Sequence, residues 1–475
     1  MGRENVSFVD REKELGFLEE RYRSGRAELL ILYGRRRVGK TELLRHFAVG
    51  KRPVFFVATL GSRAAHLASF SEVLGQRFAD VLGAEVRFDS WEAVFRFLGR
   101  RARDERLLVI LDEFPYLVQA DPALPSVLQK LWDEELRHTR LFLVLCGSSV
   151  SFMEGELLAQ KSPLYGRRTG QYLLLPFDAR EAGMFFPNKS PKERLEIYGI
   201  LGGVPAYLEQ FSPDEALFEN VQRRILQKGS YLYDEVRFLL MEELREPKNY
   251  FAILRAIATS KTRLNEIAQS AFGEGEARKA AFYLDTLQEL RLVERRVPVT
   301  ETKPHKSRRG IYRLQDNFFR FWFRFVYPYM SALEAGQTEL VWKEKIAPFL
   351  PEYMGQVFEE VARGYIARAA ASERLPFIPE RVGAWWDGHE EIDVVAIGEG
   401  GRKLLLGECK WSTRPVDLPL LEDLRRKGEY LRRSVGLRET EFHYALFSRE
   451  GFTKRLERRA CEDGVLLVTP ADIFE

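Results

Sequence analysis

The sequence ELLILYGRRRVGKTELLRHF, residues 28–47, decides the fold of the N-terminal part of the chain. An apolar run is followed by a glycine-containing loop and an amphipathic stretch, the pattern of a buried strand that leads into a helix. The loop matches G-x-x-x-x-G-K-[ST] in full from Gly34 to Thr41. Gly34 and Gly39 let the backbone turn its N–H groups inward, and a helix beginning near Lys40 adds its positive dipole end. The stretch therefore predicts a phosphate-binding loop in an α/β sheet.

This loop predicts binding of ATP together with Mg²⁺. Lys40 is expected to reach the β- and γ-phosphates, and Thr41 is expected to hold the metal. A chance glycine–lysine loop is the alternative, but the complete motif between a strand and a helix argues against it. The predicted nucleotide-binding residues of the loop are Gly34, Arg35, Arg36, Arg37, Val38, Gly39, Lys40, Thr41 and Glu42.

Two further apolar runs end in polar residues that suit the same site. RLLVILDEFPYL, residues 106–117, places Asp112 and Glu113 at the end of a predicted strand, where parallel sheets present catalytic carboxylates. We expect Asp112 to orient the water shell of Mg²⁺ and Glu113 to activate the attacking water, with a solvated turn as the alternative. RLFLVLCGSS, residues 140–149, ends in a serine pair, of which Ser148 is a candidate for sensing the γ-phosphate. Gly-Ser-Ser is also ordinary turn chemistry.

Two later segments carry candidates for transition-state stabilisation and for a lid. KSPLYGRRTGQYLLLPF, residues 161–177, places Arg167 on a loop, where an arginine can stabilise phosphate charge in cis or across a subunit interface. A solvated basic turn explains this residue equally well. In YGILGGVPAYLEQF, residues 198–211, Gly203 and Pro205 break one helix and start another, as a lid that docks onto nucleotide would require.

The blocks FVDREKELGFLEERY, YGRRRVGKTELL, LDEFPYL, CGSSVSFM, SPLYGRRTG and GGVPAYL follow one another within residues 6–240. Together they resemble the archaeal-type P-loop ATPases of the AAA+-related signal-transduction (STAND) group. The resemblance implies nucleotide-switched regulation, with Arg11 near the adenine and Pro205 in a helical lid. We accordingly assign residues 1–180 to a P-loop ATPase core and residues 181–245 to the lid.

Residues 246–315 predict three helices followed by a hairpin, the arrangement of a winged helix-turn-helix domain. This segment holds 14 Lys/Arg and 8 Asp/Glu in a chain whose net charge is only +3. Such a basic hairpin commonly contacts DNA phosphates without reading bases. The alternative is a winged helix that packs on protein as an interdomain spacer. The cations of the hairpin are Lys303, Lys306, Arg308 and Arg309.

DNFFRFWFRFVYPYM, residues 316–330, has seven aromatic side chains between Phe318 and Tyr327. Stacking on nucleic-acid bases is one interpretation. A buried helix is favoured, because aromatic-rich segments usually pack in the core. We therefore assign residues 316–345 to an aromatic linker helix.

The C-terminal part contains two apolar runs, EIDVVAI at residues 391–397 and KLLLGECKW at residues 403–411, which predict adjacent antiparallel strands. Because strands alternate faces with period two, Glu408 and Lys410 project from the same face. With Asp393 on the neighbouring strand, the pattern Asp-x14-Glu-x-Lys resembles the core of PD-(D/E)xK nucleases.

That resemblance covers residues 350–475, and we assign residues 346–475 to a nuclease-like α/β domain. It implies Asp393 and Glu408 as ligands of Mg²⁺ or Mn²⁺, with Glu359 and the carbonyl of Cys409 as further candidates. Lys410 would orient the attacking water and contact the scissile phosphate. The chain has Ile392 where the motif has proline. The alternative is a degenerate nuclease fold that is kept as a binding module.

The fold class predicted overall is multidomain α/β, with a P-loop core and helical lid, a winged helix and a nuclease-like domain. Three distant cysteines exclude a disulfide framework, and neither a signal peptide nor a membrane-spanning run is evident, so we expect a cytoplasmic protein. The expected function is an ATP-hydrolysing switch coupled to DNA binding and metal-dependent phosphodiester hydrolysis, with a homo-oligomer also compatible. The alternative is a regulatory DNA-binding or scaffold ATPase whose nuclease fold is catalytically silent.

Overall fold

The computed structural model describes residues 8–82, 86–244, 246–371, 374–437 and 439–475. The chain divides into two compact units, of which the first ends at Pro176 and the second is Phe177–Glu475. The predicted ATPase core therefore ends close to this boundary, whereas residues 181–245, the predicted lid, group with the C-terminal part. The inner boundaries after residues 245, 315 and 345 stay predictions.

The first unit is built on a parallel sheet, as the sequence predicts. The strands follow the order β2-β3-β4-β1-β5, and their pairings are all parallel. Strands β1, β3 and β4 are buried along their whole length, since a parallel sheet is covered on both faces. The strands are β1 (Glu28–Tyr33), β2 (Val54–Val57), β3 (Leu107–Asp112), β4 (Leu141–Gly147) and β5 (Gly170–Leu173). Because β4 lies between β1 and β3, the residues that follow these three strands meet at one edge of the sheet.

Helices cover the sheet of the first unit and bury two apolar clusters. Ser62 and Ser90 define two helix starts, because each side chain accepts a backbone N–H three residues later. The α-helices are Glu12–Arg23, Lys40–Ala48, Arg63–Arg77, Ala79–Leu82, Trp91–Asp104, Phe114–Ala120, Leu124–Glu134 and Val150–Phe152, with a 3-10 turn at Leu136–His138 and a π-helical turn at Met153–Leu157.

The second unit begins with a helical region. Gly203 has no room for a side chain, since an added Cβ would lie 1.7 Å from the carbonyl oxygen of Phe177. Pro205 then starts the next short helix. The α-helices of this region are Ala179–Gly183, Pro191–Leu201, Pro205–Leu208, Leu217–Val221 and Glu235–Glu243, with a π-helical turn at Gln222–Leu226.

The next segment has the predicted order of three helices and a hairpin. The hairpin strands β6 and β7 pair in antiparallel fashion. The loop between them, residues 297–310, carries the four cations singled out above and is called the basic arm here. The elements are Pro247–Ala258, Leu264–Ala271, Ala277–Glu289, β6 (Val293–Arg296), a 3-10 turn at Pro304–Lys306, and β7 (Ile311–Leu314).

The aromatic segment packs in the core, as the sequence predicts. Phe318, Trp322 and Phe325 are among its buried side chains. The expected single helix over 316–345 is wrong, because the segment is a series of short helical pieces, one of which contains Pro328, a residue without an N–H donor. The pieces are Asn317–Phe321, Trp322–Val326, Tyr327–Tyr329, Met330–Glu334, Thr338–Val341 and Trp342–Ile346.

The C-terminal region holds a second, mixed sheet in the order β12-β11-β10-β9-β8. Strands β8, β9 and β10 are antiparallel, which confirms the predicted pairing of β9 with β10, and β10, β11 and β12 are parallel. Its elements are Leu350–Ala371, β8 (Arg381–Trp386), β9 (Glu391–Gly398), a 3-10 turn at Glu399–Gly401, β10 (Lys403–Lys410), Leu418–Val435, β11 (Glu441–Ser448), Lys454–Asp463, β12 (Leu466–Val468) and Pro470–Phe474. None of the helices in the described parts of the chain has the length and apolar character needed to cross a bilayer.

An irregularity in the pairing of β8 with β9 lies next to Asp393. Gly383 pairs with Val395, but Trp385 pairs with Ile392. One residue, Ala384, therefore stands opposite two residues of β9, which is the definition of a bulge. The two residues of β9 opposite Ala384 are Asp393 and Val394, so the bulge includes Asp393.

Candidate functional site

The phosphate-binding loop has the backbone that its glycines predict. An added Cβ at Gly34 would lie 2.3 Å from the carbonyl oxygen of Leu174, so a side chain has no room there. Gly39 has a φ of 91°, which side chains disfavour. The ammonium of Lys40 donates to the carbonyl oxygens of Gly34, at 3.0 Å, and Arg35, at 2.9 Å. Burial lowers the pKa of Lys40, and the loop carbonyls hold its charge where a phosphate would bind.

The ends of the loop and of β3 meet through a hydrogen bond. Thr41 Oγ1 donates to Asp112 Oδ2 at 2.6 Å, although the two residues come from strands that are not neighbours in the sheet. The other carboxylate oxygen of Asp112 accepts the backbone N–H of Glu113 at 3.0 Å. A hydroxyl and a carboxylate at this spacing are the oxygen donors that Mg²⁺ prefers.

Glu113 is held by Ser148. Glu113 follows β3 with a φ of 52°, a left-handed conformation that is uncommon for a residue with a side chain. Ser148 Oγ, at the end of β4, donates to Glu113 Oε1 at 2.5 Å. The carboxylate is thereby held in one orientation next to Asp112 at the end of β3, which suits a group that positions water. The sequence suggested Ser148 as a phosphate sensor and missed this contact.

Arg11 contacts the phosphate-binding loop from the N-terminal side. Its guanidinium donates to the carbonyl oxygens of Val38, at 3.1 Å, and Leu175, at 2.9 Å. Of the loop arginines, Arg36 donates to the hydroxyl of Tyr116 at 3.4 Å. Arg11 thus lies against the phosphate-binding loop, and its place near the adenine stays a prediction.

Three other predicted residues have different surroundings. Arg167 forms an ion pair with Asp133 at 3.0 Å, so its guanidinium is engaged within the first unit. Glu42 is exposed and lies 3.5 Å from Arg45. Pro205 belongs to the second unit.

The C-terminal cluster is built around Glu408, which is buried. Lys410, two residues on, donates to Glu408 Oε1 at 3.2 Å, so the two project from the same face as predicted. Lys427, from helix Leu418–Val435, donates to both carboxylate oxygens of Glu408 at 3.2 Å. Burial alone would lower the pKa of Lys410, but the carboxylate of Glu408 raises it.

Sequence reasoning missed Lys427, although the helix contained a signal for it. Leu424 and Leu431 are buried on the same helix, and Lys427 lies three residues after the first and four before the second. A lysine on the apolar stripe of an amphipathic helix needs a buried partner.

Asp393 lies beside Glu408, because the pairing of β9 with β10 ends one residue before them. Asp393 Oδ2 accepts the backbone N–H of Cys409 at 2.9 Å. The backbone carbonyl of Asp393 accepts from Arg363 at 2.7 Å. Burial, together with the negative charges of Glu408 and Glu359, raises the pKa of the Asp393 carboxyl to about 7. The predicted carboxylates therefore do converge.

The donor set fits a hard divalent ion held by few protein ligands. Repulsion between Asp393, Glu408 and Glu359 is the kind that a cation relieves, and carboxylate oxygens are ligands of Mg²⁺ and Mn²⁺. Within the described residues, no group of three or more His, Cys, Asp or Glu side chains has the arrangement of a metal site. An ion here would accordingly need water, or the carbonyl of Cys409, to complete its coordination.

Comparison with known proteins bears on the first unit directly. A family described as an ATPase domain predominantly from Archaea matches residues 8–211. An uncharacterized protein of Methanocaldococcus jannaschii is 34% identical over 448 residues, which is 93% of this chain and 96% of the relative. The chain belongs to this archaeal-type ATPase family. Membership implies ATP as a ligand and, typically, Mg²⁺ with it.

Other proteins match a shorter segment of this chain or are less similar to it in sequence. A second family, of archaeal and bacterial proteins of unknown function, matches residues 322–423. An uncharacterized ATP-binding protein of M. jannaschii is 53% identical over 47 residues, or 10% of this chain and 80% of that one. A Walker-type ATPase of Pyrococcus abyssi has a TM-score of 0.48 and 24% identity, covering 67% of this chain and 97% of its own.

The matched segments divide the candidate residues of the archaeal-type ATPase into two sets. The phosphate-binding loop, Asp112, Glu113 and Ser148 lie within residues 8–211. Asp393 and Glu408 lie within residues 322–423, whereas Lys427 lies beyond them.

Proposed function

We propose that this archaeal-type ATPase is a nucleotide-driven switch that binds DNA and hydrolyses phosphodiester bonds at Asp393, Glu408 and Lys410. The observation that carries the proposal is the convergence of these three side chains at neighbouring positions of β9 and β10. Glu408 is buried and Asp393 lies beside it, and two neighbouring carboxylates cost free energy unless cations compensate them.

At the ATP site, the proposed roles follow the contacts of the residues. Lys40 binds the phosphates in exchange for the loop carbonyls it now contacts. Thr41 and Asp112 hold Mg²⁺, and Glu113, oriented by Ser148, accepts a proton from the attacking water. Arg167 would have to leave its ion pair with Asp133 before it could stabilise phosphate charge at the ATP site of another subunit.

At the nuclease-like site, Asp393 and Glu408 would hold Mg²⁺ or Mn²⁺, with water or the carbonyl of Cys409 completing the coordination. Glu359, which lies 3.8 Å from Arg363, adds negative charge nearby. When bound, the ion supplies positive charge that activates water and stabilises the phosphate. Lys410 is half-exposed, so its ammonium can contact the scissile phosphate. Its hydrogen bond to Glu408 Oε1 holds that carboxylate in place at the same time.

A catalytically silent scaffold is the second candidate, and one observation favours it. Lys410 and Lys427 both bind Glu408, so this carboxylate is already compensated without an ion. In a scaffold, the cluster would serve only the stability of the fold.

The test is cleavage of single-stranded, duplex and branched DNA with Mg²⁺ or Mn²⁺, with and without ATP. We expect Glu408→Ala to abolish cleavage and weaken metal binding measured by calorimetry. Circular dichroism checks that this variant, which leaves Lys427 without its buried partner, still folds; if it does not, Asp393→Asn decides. The matched control is Glu422→Ala, which removes an exposed carboxylate of helix Leu418–Val435. If the parent cleaves none of the substrates and binds no metal at these residues, the scaffold replaces the nuclease.

A further inference from the structure

The basic arm, residues 297–310, lies against the edge of the nuclease-like sheet. The backbone N–H of Val299 donates to the carbonyl oxygen of Ala384, on edge strand β8, at 2.9 Å. A Cβ added at Gly383 would lie 3.0 Å from the Cβ of Val299, which is a tight contact. The arm therefore packs directly on β8 at Gly383, which has no side chain to hold the two apart.

Two side chains of β8 extend this contact along the arm. Arg381 donates to the carbonyl oxygen of Glu301 at 3.1 Å, and the indole N–H of Trp386 donates to the carbonyl oxygen of Arg309 at 3.2 Å. Both hydrogen bonds go to backbone atoms of the arm, so they position the arm without using its cations. The side chains of Lys303, Lys306 and Arg308 stay exposed.

The hairpin is also held at its base. Arg296 on β6 and Arg313 on β7 lie 3.2 and 3.9 Å from Glu360, on helix Leu350–Ala371. The preceding residue, Glu359, is close enough to Asp393 for their charges to interact. On the same helix, Arg363 donates to the backbone carbonyl oxygen of Asp393 at 2.7 Å. The hairpin and Asp393 are thus attached to the same helix.

The attachment places the arm in line with the carboxylates. Ala384, which binds Val299, stands opposite Asp393 because of the bulge, and Asp393 lies beside Glu408. Neighbouring strands are about 4.8 Å apart, so the three steps from Val299 to Glu408 span about 15 Å. The attachment point of the arm at Val299 is therefore less than half a turn of duplex DNA from Glu408, since the duplex rises about 34 Å per turn. The arm returns to β8 at Arg309, so the cations between these two contacts stay close to the same edge.

We propose that the basic arm and the cluster of Asp393, Glu408 and Lys410 form one surface for double-stranded DNA. The arm holds the phosphate backbone, and its attachment to β8 determines which phosphate reaches the carboxylates. This inference rests on the proposed function. Duplex DNA is favoured over a single strand, because the arm, VPVTETKPHKSRRG, offers cations but no Phe, Tyr or Trp on which bases could stack.

The test separates the arm from the sheet while leaving every cation and carboxylate in place. In Gly383→Val the new side chain collides with Val299, and we expect duplex binding without divalent metal to weaken about tenfold, because the displaced arm no longer neutralises several phosphates. Trp386→Phe removes one hydrogen bond and should weaken binding about threefold to fivefold. The matched control is Gly355→Ala, where an added Cβ meets open space and binding should not change.

Binding is measured by fluorescence anisotropy, and the protected stretch of DNA by hydroxyl-radical footprinting. With metal added, the parent should cut within about half a turn of the arm's footprint, and Gly383→Val should scatter the cut positions. Circular dichroism checks folding; if Gly383→Val does not fold, Trp386→Phe decides.

The outcomes distinguish this inference from the proposed function. Unchanged binding in both variants, or equal affinity for a single strand, overturns the shared surface and leaves the nuclease proposal standing. A parent that binds duplex without cleaving, with both variants weakened, supports the surface and removes the nuclease. A parent that binds no duplex overturns the surface together with the proposed DNA binding.

Discussion

The ammonium of Lys427 lies 3.2 Å from both carboxylate oxygens of Glu408, although the two residues come from a helix and a strand on separate segments of the chain. Both side chains are buried. Removing one partner of a buried ion pair leaves an uncompensated buried charge, which costs about 3 to 5 kcal/mol. Lys427 therefore explains why the apolar strand β10 tolerates Glu408.

Lys427→Met should lower the free energy of unfolding by about 3 kcal/mol, because Glu408 keeps only Lys410. Glu408→Gln in the same chain should recover part of this loss. Chemical denaturation followed by circular dichroism measures both, with Lys454→Met, at an exposed position, as the control. Equal stability of parent and Lys427→Met would contradict the structural role of the pair.

Glu113→Gln should retain ATP binding and lose about 100-fold to 10,000-fold in turnover, as expected when a general base is removed. Lys40→Ala should lose binding itself. Ser148→Ala should lower turnover less than Glu113→Gln, since it only frees the carboxylate that Ser148 holds. Equilibrium nucleotide binding and phosphate release separate these effects; turnover by Glu113→Gln at the parental rate would refute the assignment.

Asp393→Asn should change how the metal-free chain responds to pH. The Asp393 pKa is raised to about 7 in the folded state, from an ordinary value of 3.8, so the folded chain binds more protons than the unfolded chain between these values. Stability therefore falls as pH rises through this window. Asn removes the effect, and Tm of the variant should exceed that of the parent at pH 8 but not at pH 3. A parallel pH dependence of Tm in both chains would count against the convergence of the carboxylates.

Glu360 should make stability depend on pH in the direction opposite to Asp393, and Glu360→Gln tests this. Burial alone would raise the pKa of Glu360, but Arg320, Arg296 and two further arginines lower it to about 2 from 4.5. The stabilisation is present above pH 4.5 and is lost as pH falls towards 2, and it amounts to about 3 kcal/mol at neutral pH. In denaturant titrations, the free energy of unfolding of the variant should be well below that of the parent at pH 7, and the difference should be smaller at pH 3. Glu352→Gln, which breaks an exposed ion pair with Arg324, is the control and should cost under about 1 kcal/mol.

Replacing Lys306 and Arg308 with alanine should weaken duplex binding and lower the salt slope by about one for each phosphate that the arm no longer neutralises. Arg309→Ala should have less effect on the slope, because Arg309 already pairs with Glu301. Affinity is measured between about 50 and 200 mM salt, a range over which counterion release changes binding strongly. An unchanged slope in the double variant would mean that the basic arm serves only to pack on β8.

Several elements could be predicted because their signals are local. The complete motif from Gly34 to Thr41 indicated the strand, loop and helix around it, and the alternation along β10 put Glu408 and Lys410 on one face. Both patterns lie within about eight consecutive residues, so a short window of sequence contains them. The burial of Phe318 and its neighbours followed from composition in the same way.

Other features depend on which distant segments pack together. Lys427 meets Glu408 only because helix Leu418–Val435 packs on β10, and Glu113 meets Ser148 only because β4 follows β3 in the sheet. The basic arm contacts β8 through its own backbone atoms, so the side chains of the arm give no sign of this contact. The sequence by itself determined the local elements and the chemistry that each one carries. Only the tertiary structure decided which of them meet, because strand order, helix packing and the bulge opposite Ala384 are selected by the free energy of the whole core.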